Sequence, residues 1–155
     1  MRKWSLLLYP LLLAAALALV GPKGSRRDAL AELLWPDRAE PQARSSLRQA
    51  LTAVRTALGS DETGLHLAAD AESVRLLGPV EHVDIHAFDR LADSAVPEEQ
   101  ARACDLYGGD LLEGVSLESA TDRWFEGYAA AFRRRALALV ETLSGVGGDP
   151  AAAAC

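Results

Sequence analysis

The sequence predicts a mainly helical protein with one β-hairpin, built in two parts of opposite charge. Three observations predict it. Alanine and leucine, both strong helix formers, dominate a chain that is half apolar and only 6% aromatic. Apolar residues recur at helical spacing in several stretches, broken once by two short strand-like runs. Residues 21–60 carry seven cations against four acids, and residues 61–155 carry seven against eighteen. A length of 155 residues, with a quarter of them charged, suits one globular domain or two small ones. The net charge of −6 argues weakly against nucleic acid, but a basic segment followed by an acidic one suggests two separate jobs.

The first twenty residues admit two readings. Arg2-Lys3 precede an apolar run from Trp4 to Val20, the form of a signal peptide or membrane anchor. Pro10 interrupts that run, no clean small-residue cleavage site follows, and the run is short for a membrane span. The reading that fits the rest of the chain is a buried helix, Leu11 to Val20, stopped by Gly21-Pro22.

Ser25 reads as an N-cap with Asp28 as its acidic partner, opening a short helix with Ala29, Leu30, Leu33 and Leu34 at helical spacing. Pro36 ends it, and Trp35 closes over the core. After a polar turn at residues 36–42, a second helix runs from Gln42 to Leu58 with Gly59 as its C-cap. Its apolar stripe is Leu47, Ala50, Leu51, Val54 and Leu58. Arg44, Arg48 and Arg55 lie on another face beside Ser45, Gln49, Thr52 and Thr56, and no acid lies between Pro41 and Ser60. Strands at Leu65–Ala68 and Ser73–Leu77 form a hairpin over the turn Ala69-Asp70-Ala71-Glu72.

Beyond Gly78-Pro79 the chain is helical again. Asp84 caps a helix carrying Ile85, Phe88 and Leu91, and Pro97 with Glu98 and Glu99 opens another that ends at Gly108-Gly109. A loop over 110–118 leads to a long helix, Ala120 to Ser144, with Trp124, Phe125, Tyr128, Phe132, Ala136, Leu139 and Leu143 as its buried stripe. Gly145 to Gly148 reads as a flexible break, and Asp149-Pro150-Ala151 as the opening of a further helix. A single helical turn is unstable alone, so the sequence reads as a piece of a longer chain.

Helix, turn, helix and hairpin form the element order of a winged helix. The second helix has what a major-groove reader needs. Arginines pair with guanine edges or phosphates, Gln49 with adenine, and hydroxyls anchor phosphates. The candidate DNA-facing residues are therefore Arg44, Ser45, Arg48, Gln49, Thr52 and Arg55, with Arg26 or Arg27 on the DNA backbone. The alternative is an ordinary solvated helix face, which the missing acids and the following hairpin argue against.

Several segments also resemble a family. Ser25 to Asp37 resembles the second helix of transcription factors of the bacterial antibiotic-regulator (SARP) type, and Ala43 to Leu51 resembles their recognition helix. Val83 to Phe88, Leu106 to Gly114 and the helix around Trp124 resemble the bacterial transcriptional activator domain. The resemblance implies an OmpR-like winged-helix DNA-binding domain over 11–80, then tetratricopeptide-like helix pairs over 83–155, incomplete at the C-terminus. It implies double-stranded DNA as partner, with dimerisation and contact with RNA polymerase or other proteins through the second domain. It implies no catalysis and no cofactor. Members of that family carry a small N-terminal sheet before the first helix, and residues 1–10 do not read as several strands.

Enzyme chemistry finds little footing. His82 and His86 are four apart, but His82 precedes the helix cap and no third metal ligand is evident. The glycines at 21–24 lack a phosphate-loop ending, and no nucleophile–histidine–acid set is suggested locally. Arg133-Arg134-Arg135 reads as a solvated face making i,i+4 pairs. Cys104 and Cys155 have no metal or redox spacing; unbridged, they fit a reducing, cytoplasmic compartment. The expected function is a DNA-binding transcriptional regulator. The alternatives are a protein-interaction module without DNA binding, and a regulator tethered to a membrane by residues 4–20.

Overall fold

The computed structural model describes residues 2–59, 62–115 and 119–147. It is mainly helical with one small antiparallel sheet, and it divides into two compact units, Met1–His82 and Val83–Cys155. The first unit runs α1 (Arg2–Val20), β1 (Ser25–Arg26), α2 (Arg27–Leu34), α3 (Glu40–Leu58), β2 (His66–Ala69) and β3 (Ser73–Leu77). The second opens with α4 (Asp84–Ala92) and α5 (Pro97–Leu106), followed by α6 (Ser119–Gly147).

Helix α1 passes through Pro10 and reaches back to Arg2, where the sequence suggested an interruption. An interior proline costs about 3 kcal/mol relative to alanine. Leu12, Leu13 and Leu17 are each at most 1% exposed, and at about 1.5–3 kcal/mol per fully buried leucine their packing outweighs that cost. The helix packs on α2, α3 and β3. The residues considered as a membrane anchor thus lie in a helix whose apolar face belongs to the core of the first unit. Among the described residues no helix is long and apolar enough to cross a membrane.

Ser25 is not the cap of α2. It lies in β1, where Ser25 and Arg26 pair with Val74 and Ser73 of β3, and Arg26 occupies the N-cap position without a side-chain cap bond. The sheet therefore has three strands, in the order β1-β3-β2, where the sequence showed two. A two-residue strand has no period to detect; it exists because β3 offers an open edge. Gly24 makes the approach possible. Its φ is +73°, and a Cβ there would stand 2.3 Å from the Val74 carbonyl oxygen.

The hairpin register pairs His66 with Leu77 and Ala69 with Val74. Its turn is held by Asp70, whose carboxylate accepts the backbone N–H groups of Glu72 (2.8 Å) and Ser73 (2.7 Å). These bonds, that from Ser73 first, hold the Asp70 carboxyl below its ordinary value. Pro41 sits in the first turn of α3, so that helix begins at Glu40, two residues before the sequence placed it. Leu30, Leu34, Leu47, Leu51 and Val74 close the core of this unit. Trp35 is buried and stacks on Tyr9 at 5.0 Å between ring centroids.

In the second unit, Phe88 and Leu91 of α4, Ala103 and Cys104 of α5, and Ala136 and Leu139 of α6 form one core cluster. Residues 145–147, expected as a flexible break, continue α6, and Gly148 and the helix opening proposed at residues 149–151 lie outside the described residues. The arginine run does not form i,i+4 pairs. Arg133 makes a two-pronged bond to Asp110 (3.0 and 2.6 Å), and Arg135 pairs with Asp89 of α4 and with Asp93 at its C-cap, while its guanidinium lies 5.9 Å from the centre of the Phe88 ring. Arg133, then Tyr107, hold the Asp110 carboxyl below its ordinary value. Burial raises that of Asp89, outweighing the opposing pull of Arg135. Cys104 is disulfide-bonded, which corrects the expectation of unbridged thiols and removes their support for a reducing compartment; Cys155 lies outside the described residues.

Candidate nucleic-acid interface

Helix α3 carries the candidate site on the polar face that borders its own core stripe. At 100° per residue, Arg44, Arg48 and Arg55 fall within about 40° of one another, flanking the line of buried Leu47, Leu51 and Val54. Thr52, Ser45 and Gln49 form the next stripe outward. Arg44, Arg48, Gln49, Thr52 and Arg55 are exposed and Ser45 is half-buried. The core side chains lock the rotation of the helix, and that rotation turns the polar residues to solvent.

The candidates differ in how free they are. Among the described residues, Arg48, Gln49 and Arg55 have no side-chain partner. Arg44 is held by two carboxylates, Glu40 at 2.6 Å and Asp28 of α2 at 3.2 Å. The Thr52 hydroxyl donates to the Arg48 carbonyl at 3.0 Å, so in this rotamer it has no proton to give a phosphate oxygen. Ser46 accepts from the Arg38 guanidinium at 2.6 Å, which leaves its own proton free to donate.

Arg26 and Arg27 part company as well. Arg26 is exposed, with no ion pair among the described residues. Arg27 is half-buried; its backbone N–H donates to the Glu72 carbonyl (2.8 Å) and its Nε to the Asp70 carbonyl (2.7 Å), so it ties α2 to the hairpin turn. A cleft of about 730 Å³ lies where these elements meet, lined by Arg26, Arg27, Arg44 and Arg48 with Asp28, Glu40 and Glu72 at its acidic edge.

One cation escaped the sequence reading. Arg75 on β3 is exposed, and its Cγ lies over Gly24, on the sheet face that also carries Arg26. The alternation of Val74, Arg75 and Leu76 gives this away once the strand is known: the two apolar residues are buried and the arginine faces out.

Among the described residues no group of three or more His, Cys, Asp or Glu side chains could hold a metal ion. No family model matches the chain, and no curated protein matches it.

Proposed function

We propose that this chain is a DNA-binding transcriptional regulator whose first unit is a winged helix-turn-helix and whose second unit, α4 to α6, binds protein. The observation that carries the reading is α3, which locks its leucines into a core and presents Arg48, Gln49 and Arg55 outward, unpaired, on a helix without an acid after Glu40. The element order supports it: helix, strand, helix, helix, strand, strand, with the first strand beside the last, is an order compatible with a winged helix. In this reading α3 enters the major groove, Arg48 and Gln49 meet base edges, and Arg55, Arg26 and Arg75 meet phosphates. The resemblance to SARP-type regulators supports an activator, with RNA polymerase or a second copy of the chain as partner of the second unit. Its remaining charge also suits a protein partner better than DNA, since residues 83–155 carry six cations against thirteen acids.

The test is a fluorescence-anisotropy titration of the full chain against random duplex DNA and against the DNA upstream of its own gene. Binding should weaken as salt rises, with a slope of log K against log salt near −3 if three or four cations engage. Arg48→Ala should cost about 1–3 kcal/mol on a preferred sequence and lower the discrimination between sequences. If the chain binds no duplex at about 100 µM in low salt, the reading is wrong.

A further inference from the structure

We propose that Asp28 and Glu40 determine specificity by occupying Arg44, so that an unselected DNA backbone cannot use it. The proposal rests on the DNA-binding reading above. Arg44 lines the cleft where α2, α3 and the hairpin turn meet, with Arg26, Arg27 and Arg48. It lies on the same helical stripe as Arg48 and Arg55, the position from which a guanidinium reaches a phosphate beside the groove. Yet its NH2 nitrogen is 2.6 Å from the Glu40 carboxylate and 3.2 Å from that of Asp28, and all three side chains are more than half exposed. Exposed pairs of this kind are weak and exchange readily for another anion. A DNA phosphate must displace two carboxylates to reach Arg44 and is repelled by both on approach. Arg48 and Arg55 carry no such burden. The acids thus lower the affinity for any backbone while leaving the reading face untouched, and only a duplex that seats α3 well enough gains the contact.

The test reads the salt slope on random-sequence duplex, for the full chain with D28N/E40Q, R44A and the triple combination. Each is checked for native circular dichroism and melting. The carboxamides keep shape and remove charge. D28N/E40Q should bind random DNA several-fold tighter at low salt, with a slope steeper by about 0.9, the signature of one more phosphate neutralised. Adding R44A should return the slope to its native value. An unchanged slope in D28N/E40Q overturns the proposal, and so does a steeper slope that survives R44A, because that gain would come from net charge alone. Arg48→Ala, run in parallel, separates the two claims. If it weakens binding while D28N/E40Q has no effect on slope, DNA binding stands and this proposal falls. If nothing binds DNA, both fall.

Discussion

Gly24 and Gly21 have nearly the same backbone conformation, φ +73° and +76°, in different surroundings. A Cβ on Gly21 meets nothing within 4 Å, whereas one on Gly24 collides with the β3 backbone. Gly21→Ala should therefore cost only the left-handed penalty of about 1–2 kcal/mol. Gly24→Ala should cost clearly more, because β1 must leave the sheet; urea midpoints of the two variants make the comparison. Two carboxylates set an acid limit. The folded values of Asp70 and Asp110 lie below the ordinary value near 3.9. Their stabilisation is full above that value and is lost as pH falls through the folded ones. Urea midpoints should decline on acidification below about pH 4, and Asp110→Asn should flatten the decline. Asp89, raised by burial, acts in the opposite sense. At this scale the sequence showed which residue types were present but not their partners. Arg44 read as one of three equal arginines because Asp28 is sixteen positions away and because starting the helix at Gln42 left its i,i+4 partner Glu40 outside it, and Arg133 read as solvated because Asp110 is twenty-three away.

At the scale of elements, α3 was the most legible. Its leucines repeat at a period that fixes which side is buried, so the opposite side follows. Leu51→Ala should cost about 2–5 kcal/mol in unfolding. Thr52→Ala, one residue on, should stay within about 0.5 kcal/mol; chemical denaturation of the two variants tests the assignment of faces directly. Helix α1 was half legible. It was read as a buried helix from Leu11 to Val20, of which Leu11 is exposed and Leu12, Leu13 and Leu17 are buried, but Pro10 argued for a stop that tertiary packing overrides. Pro10→Ala should raise stability by up to about 3 kcal/mol, seen as a higher melting temperature. Strand β1 was not legible. Ser25 followed by an acid has the form of a helix cap, and nothing local distinguishes that from a strand in which the partner of Ser25 arrives forty-nine residues later.

For the molecule as a whole, the cores divide after His82, whereas the acidic stretch of the sequence already begins at Asp61, inside the first unit. Each unit encloses its own apolar cluster, the second around Phe88. Phe88→Ala should lower the protection of α4–α6 amides by about 3–5 kcal/mol in hydrogen exchange. The pairs that hold the second unit together were not visible in the bare sequence, since Arg135 reaches forty-six residues back to Asp89.

The two bonds that Arg27 makes to the hairpin turn have a consequence for how such a surface can vary. They fasten the tip of the hairpin to the start of α2, so the distance between these two parts is set by the span from Asp70 to Ser73. Residues inserted in that turn would not merely lengthen a loop. They would slip the latch, and the spacing between the turn and the start of α2 would no longer be fixed.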